Sequence, residues 1–554
     1  MKPITRHIIT LALVATLCSC AKQGMPNGGP KDETPPQLRS AQPANQSCNY
    51  TGRDFYIEFD EYVVLKDADN NVLVSPPLKN KPTYRTKGRG VQVRIADTLQ
   101  PNTTYLFQFK NAIADFNEGN LLPSFEYVFS TGAKLDSLSL KGRVLDALTL
   151  QPNKETVTVL LTDASRNETL MVADTTNDSL ATVAPRYVTR CDSNGHFAFN
   201  YIRDGVYYVT ALVDENKNLR VDSTEAVAFS PSVFMPFNPA DSNAAPSVIA
   251  MRLFTPKIEK QRLTSSEFKQ PGTIQIASLM PMRQPVLDAG GEPLYWQLNK
   301  SADTLTLWTG NEKCDSLLLR VTDPSGINDT LRLRWRSKKG RPVEPVSSVE
   351  MKLSHKTLPF FDTLRLVAPR PLDRAHCRTD SVVSVLRLRD SSRAHCALRM
   401  DSSLLRLTVD YPFLKGEKYD INIPAAVLHD IYGKPSDSLH AVVTVTSPEQ
   451  YGNLHLDILP DSSLAQSAFV IELLDTKGNV VDRRSLAAAG AIDFKHLNPE
   501  KYRLRAIVDD NGNGQWDPGD YRSGLQPERV VGFAKTLDIR ANWDFEEKFI
   551  IVIP

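Results

Sequence analysis

The chain matches itself. Residues 195–222 align without a gap onto residues 490–517 at an offset of 295. Gly195 meets Gly490, Phe199 meets Phe494, Tyr207 meets Tyr502 and Ala211 meets Ala506. Asp214, Asn216, Asn218 and Asp222 then meet Asp509, Asn511, Asn513 and Asp517. A spaced set of this kind requires two stretches of one chain to fold the same way. Upstream, Asp163 meets Asp475 at an offset of 312, so the first copy carries 17 extra residues. A weaker repeat pairs Leu99-Gln-Pro-Asn-Thr-Thr-Tyr105, Asp115 and Gly119 with Leu414-Lys-Gly-Glu-Lys-Tyr419, Asp430 and Gly433.

The 554 residues therefore divide as A–B–C–A′–B′. The expected limits are a signal peptide 1–19, a tether 20–33, A 34–132, B 136–255, C 256–344, A′ 345–447 and B′ 450–554. Apolar residues return every second position in Phe55-Tyr-Ile-Glu-Phe59, Tyr105-Leu-Phe-Gln-Phe109, Tyr207-Tyr-Val-Thr-Ala211 and Leu331-Arg-Leu-Arg-Trp335. That period buries one face of an antiparallel sheet and wets the other. Pro outnumbers Gly, 37 to 27, which suits short strands with punctuated turns. The predicted fold class is all-β, as tandem β-sandwich modules.

Lys2, Arg6 and His7 precede an apolar run, Ile8 to Leu17, too short to span a bilayer and shaped like a secretory signal peptide. It ends in Leu17-Cys18-Ser19-Cys20, which resembles a bacterial lipobox. That resemblance implies cleavage before Cys20 and its acylation, a durable anchor because each buried methylene contributes about 0.8 kcal/mol. Cleavage removes Lys2 and Arg6 and no acid, taking the net charge from +1 to −1. Such neutrality argues against nucleic acid as a partner.

Module A resembles the bacterial Ig-like domain of S-layer type in Pro35-Pro36, Ile57-Glu-Phe-Asp-Glu61, Leu99-x-Pro-Asn-Thr-Thr-Tyr105 and a closing Phe129-Ser-Thr-Gly132. B and B′ resemble the transthyretin-like or carboxypeptidase-regulatory-like sandwich, with Phe197-Ala-Phe199 and Gly205-Val-Tyr-Tyr208. The whole chain is similar to Ig-like-domain lipoproteins of the Bacteroidota, most closely over residues 20–132. The resemblance implies an outer-membrane lipoprotein, with the periplasmic and surface-exposed sides both open.

Asp509, Asn511, Asn513, Gln515, Asp517 and Asp520 occupy positions 1, 3, 5, 7, 9 and 12 of a calcium loop, with Gly514 at position 6. A hard cation takes six to eight oxygens, and alternate residues of a tight loop supply them. Gln515 contributes its backbone carbonyl in this pattern. The same residues also favour an ordinary turn between strands. The homologous set is Asp214, Asn216, Asn218, Arg220, Asp222 and Glu225. It supplies Glu at position 12 but puts Leu219 at position 6, which is expected to resist a left-handed backbone.

His376-Cys377 and His395-Cys396 form a doublet. Zinc is disfavoured because neighbours on a strand face opposite ways, which leaves a Cys377–Cys396 disulfide or unlinked thiols. Arg332, Arg334 and Arg336 share one strand face, either simply solvated or open to an anionic glycan or lipid headgroup. Asp-Ser/Thr triplets recur with acceptors such as Thr98, Ser137, Ser316 and Ser438. They resemble O-glycosylation sites of exported Bacteroidota proteins and equally suit strand starts.

G-x-S-x-G, H-E-x-x-H, Walker and C-x-x-C signatures are missing from the sequence. The expected function is a non-catalytic, lipid-anchored envelope protein with a structural or partner-binding role. The competing expectation is a glycan-binding or carbohydrate-active lipoprotein whose site lies in the middle domains. The partner is a protein or glycan of unknown identity, and calcium is the one cofactor expected. Cys20→Ala should abolish acylation, checked by metabolic labelling with a fatty-acid analogue; a labelled mutant would overturn the assignment.

Overall fold

The computed structural model describes residues 32–164, 184–222, 224–241, 248–257, 261–336 and 347–552. Cys20 and most of the tether lie outside the described residues. Helical elements among the described residues are single short turns, Ala68–Asn71, Pro448–Gln450 and Ser462–Leu464; strands build the rest. The protein is all-β, and its sheets form sandwiches gathered into two compact units. The first comprises residues 1–145 and 152–253, the second residues 146–151 and 254–554.

In the first unit, one sheet of A runs in the order Leu38–Gln42, Asp54–Phe59, Gly90–Arg94, Thr83–Lys87. The facing sheet is Leu73–Ser75, Thr104–Lys110, Phe125–Ser130. Between them lies an aromatic interior in which Phe55 stacks on Tyr127 with centroids 4.3 Å apart. Asp54–Phe59 alternates as its period dictates, with Phe55, Ile57 and Phe59 buried. Thr104–Lys110 departs from the expected one-sided burial: Thr104 to Phe109 are all buried. The reason is tertiary, because this side of A packs on B. Leu73 of A joins Leu160, Val188 and Leu212 of B in one apolar cluster, and Val188 N donates to Ser75 Oγ at 3.1 Å.

B pairs His196–Ile202, Leu138–Asp146 and Ile249–Leu253 in one sheet. Its other sheet is Tyr187–Arg190, Thr158–Asp163, Tyr207–Leu212, Val227–Phe229. In the second unit, B′ has Gly490–Leu497, Gly452–Pro460, Asp544–Ile551 against Val480–Leu486, Ala468–Leu474, Lys501–Asp509, Val530–Gly532. The strand orders of B and B′ coincide. Details follow: Tyr207 OH donates to Arg203 O at 2.9 Å, and Tyr502 OH to Asn498 O at 3.0 Å.

The weaker repeat behaves likewise. A′ orders Lys352–Leu353, Arg365–Val367, Arg406–Val409, Leu398–Met400 as A orders its four-stranded sheet. Tyr105 OH accepts from Gln100 N and Tyr419 OH from Leu414 N, both at 2.9 Å. Buried Asp115 and Asp430 each gather backbone N–H groups of their own following turn. C is a third sandwich, Leu263–Gln270, Thr273–Ser278, Thr304–Thr309, Leu294–Leu298 over Val286–Asp288, Ser316–Asp323, Ile327–Arg334.

Charged side chains hold parts of the second unit. Arg370 of A′ lies 3.1 Å from Glu312 of C and 3.5 Å from the fully buried Asp430, with its guanidinium over the Tyr432 ring. Tyr432 OH donates to Thr309 O of C at 2.9 Å. In B′, Glu472 is 1% exposed and sits 2.6 Å from both Arg483 and Arg505. Breaking a buried pair by removing one partner costs about 3–5 kcal/mol, because the other charge is left uncompensated. Glu472→Ala should therefore speed amide exchange across 468–474 by roughly two orders of magnitude in hydrogen-exchange mass spectrometry. Unchanged protection there would show that the arginines rehydrate freely.

Candidate cation-binding loops

Strand Lys501–Asp509 ends on Asp509, and the chain then turns through the Asn/Gly-rich loop. Asp509 Oδ1 accepts from Asn513 N at 3.1 Å and Oδ2 from Gly514 N at 2.8 Å. Asp214 does the same with Asn218 N and Leu219 N, each at 3.0 Å. In both copies the position-3 and position-5 amides converge on one carboxylate oxygen. Asn511 and Asn513 Nδ2 lie 2.5 Å from Asp517 Oδ2, and Asn216 and Asn218 Nδ2 lie 2.6 and 3.1 Å from Asp222 Oδ2. Positions 1, 3, 5 and 9 are thus brought together. Position 7 is exposed at Arg220 and Gln515, whose backbone N–H groups bond to Asn218 and Asn513 Oδ1.

One expectation needs correction. Leu219 does adopt the left-handed backbone, at φ +57°, beside Gly514 at +73°. Its side chain is half-buried on the Leu73, Leu160, Val188 and Leu212 cluster. A left-handed residue costs about 1–2 kcal/mol, and burying a leucine returns about as much. Asp520 turns its carboxylate onto its own following turn. Its oxygens accept from Arg522 N and from Ser523 N and Oγ, and its backbone pairs with Leu525.

Glu528 reaches the loop backbone from farther along the chain. Its Oε1 accepts from Asp510 N at 3.0 Å and its Oε2 from Asp517 N at 2.9 Å. Glu225 Oε1 accepts from Glu215 N at 3.1 Å, the equivalent bond in B. The sequence carried a signal for this. Glu225 and Glu528 each stand two residues before a short strand, Val227–Phe229 and Val530–Gly532. Glu225 follows Asp222 by three residues and Glu528 follows Asp517 by eleven, so B′ inserts eight residues that fold into the Asp520 turn. Burial, then the Asp222 and Asp214 carboxylates, push the Glu225 carboxyl above its usual range. Burial, then Asp509 and Asp517, do the same to Glu528. Burial raises Asp517 as well, but the Asn511 and Asn513 amides and Lys257, 3.3 Å away, outweigh it and leave it low.

Cys377 and Cys396 are not joined. Cys396 lies on a strand opposite Val383, and Cys377 sits in a separate turn where its Sγ contacts His429 backbone at 3.3–3.4 Å. His376 pairs instead with Asp373. Among the described residues no three His, Cys, Asp or Glu side chains form a ready metal centre. Arg332, Arg334 and Arg336 are exposed opposite buried Leu333. Thr98, Ser137, Ser316 and Ser438 are all exposed, with Ser137 and Ser438 immediately before strands.

Residues 32–131 match the family model of the bacterial Ig-like domain. Among solved structures, the chain is similar to the N-terminal part of the bacterial S-layer protein SbsC at 12% identity, covering 33% of this chain and 44% of that one, with a TM-score of 0.17. It is also similar to BcpA, the major pilin subunit of Bacillus cereus, at 8% identity over 74% and 98% of the two chains, TM-score 0.15. A third is Bacteroides ovatus SGBP-B of a mixed-linkage glucan utilization locus, at 11% identity over 72% and 93%, TM-score 0.17. No curated protein matches the chain. The N-terminal sandwich is thus of bacterial Ig-like class, and the remaining modules are β-sandwiches.

Burial pushes the Cys396 thiol up to about 11, with Asp410 adding to it, whereas Cys48 is exposed. Since the thiolate is the reactive form, maleimide should label native Cys48 first and Cys396 only on unfolding. Alkylation in denaturant without reductant should modify all five of Cys48, Cys191, Cys314, Cys377 and Cys396, read by mass spectrometry. A pair that reacts only after reduction would restore the disulfide.

Proposed function

We propose that the chain is a non-catalytic, lipid-anchored cell-envelope protein that holds or presents a partner through tandem β-sandwiches. The supporting observation is the duplication: B and B′ are built with the same strand orders, and A and A′ share the order of their four-stranded sheet. Their interiors are filled by apolar side chains. Within each unit, modules are joined by specific contacts such as Leu73 on Val188 and Arg370 on Glu312. Contacts of this kind hold neighbouring modules of one unit together, which suits a spacer or scaffold. The acylated Cys20 ties it to the outer membrane, and the module that matches the bacterial Ig-like domain, residues 32–131, follows that anchor along the chain.

Cell fractionation with an activity screen tests the proposal. The wild-type chain should sediment with outer membranes and Cys20→Ala should appear in the soluble fraction. The purified chain should leave peptidoglycan and envelope polysaccharides intact. Hydrolysis of either would overturn the non-catalytic reading, and a cytoplasmic wild type would overturn the anchor.

A further inference from the structure

Glu225 carries an unexplained feature. The residue is 5% exposed, and its Oε2 has no hydrogen-bond partner. A buried, unpaired carboxylate oxygen is costly, and the neighbouring charges that act on it most are those of Asp222 and Asp214. Asp214 and Asp222 thus face Glu225 at the end of a β-sandwich, with Arg190 acting on Asp214 and one buried Glu225 oxygen left without a partner.

We infer that loop 214–225 binds a calcium ion closed by Glu225, and that loop 509–528 binds a second, closed by Glu528 rather than Asp520. Asp214, Asp222 and Glu225 supply carboxylate oxygens, Asn216 and Asn218 supply amide oxygens, and Arg220 supplies its backbone carbonyl. That gives the six or more hard oxygens calcium takes. Asp509, Asn511, Asn513, Gln515, Asp517 and Glu528 are the equivalent set. In both loops the two Asn amide groups now point an N–H at the position-9 carboxylate. Binding requires these amides to turn over and admit the ion, a change of rotamer rather than of backbone. Lys257 beside Asp517 moves aside at the second site; it is largely exposed and free to do so.

The first site has a consequence for the junction of A with B. Lys217, at loop position 4, donates to Asn70 Oδ1 of A, and Arg190 Nη1 donates to Asn70 O at 2.7 Å. Leu219, at position 6, packs with Leu73 of A. An ion that holds the loop therefore also holds A against B.

The test uses the full chain, stripped with chelator and titrated with calcium chloride in a calorimeter. Two ions per chain should bind with Kd of about 10⁻⁴ to 10⁻³ M, the range of extracellular modules. Glu225→Gln and Glu528→Gln should each remove one ion, and Asp520→Ala should remove none. Asp222→Asn serves as the second variant for the first loop if Glu225→Gln fails to fold. Terbium offers a separate readout of the second site, because Trp516 lies in that loop and Val221 stands at the same position of the first. Terbium emission excited through tryptophan should fall at least tenfold in Glu528→Gln and in Trp516→Phe and persist in Glu225→Gln. Calcium should slow amide exchange at residues 68–75 in wild type and not in Glu225→Gln. No calcium uptake and no terbium emission would overturn the inference. Loss of an ion in Asp520→Ala with retention in Glu528→Gln would overturn the closing role of Glu528.

Discussion

Each module depends on the same constraint: a β-strand buries alternate residues, so a two-sheet sandwich needs apolar side chains at every second position on both inner faces. Phe55, Ile57 and Phe59 meet Tyr105, Phe107 and Phe129 in A, and Leu454, Leu456 and Ile458 meet Phe469, Ile471 and Leu473 in B′. A one-residue slip in any of these strands would turn its inner face to water. Everything polar in the structure is arranged around interiors fixed in this way, including the loops that leave the sandwich ends.

Polar groups decide the remaining geometry where burial leaves freedom. Asp214 and Asp509 use both oxygens to tie down loop N–H groups, which holds each loop in a turn that starts where its strand stops. Arg370 and Tyr432 do the equivalent between C and A′, with buried Asp430 balancing the guanidinium. These bonds carry direction, which apolar packing lacks, and so they set which loop residues face one another.

The repeats made the architecture legible early. Tyr207 with Tyr502 and Tyr105 with Tyr419 were visible as aligned letters, and each pair makes the same side-chain bond in its own module. Reading failed where the partner was distant in sequence. Thr104 to Phe109 alternates as a half-wet strand but is buried throughout, because B covers the face that A leaves open. Leu219 breaks a local backbone preference, which a neighbouring module's Leu73 repays with apolar contact. For Cys377 and Cys396 the sequence left a disulfide and unlinked thiols both open, and the fold keeps them apart opposite different partners.

The carboxylates around the B′ loop show the division most clearly. Local spacing determined that Asp509, Asn511, Asn513 and Asp517 form one loop, since a tight turn has only one way to bring alternate residues together. Spacing also pointed to Asp520, because a loop read as a string has nothing else at position 12. Only the fold brought Glu528, eleven residues past Asp517, onto the loop backbone. The sheet brings strand Val530–Gly532 beside Lys501–Asp509, and that pairing returns a residue remote along the chain to the mouth of the loop. Alternation and self-similarity are properties of the sequence, but which carboxylate faces which loop is set by hydrogen-bonded strand pairing.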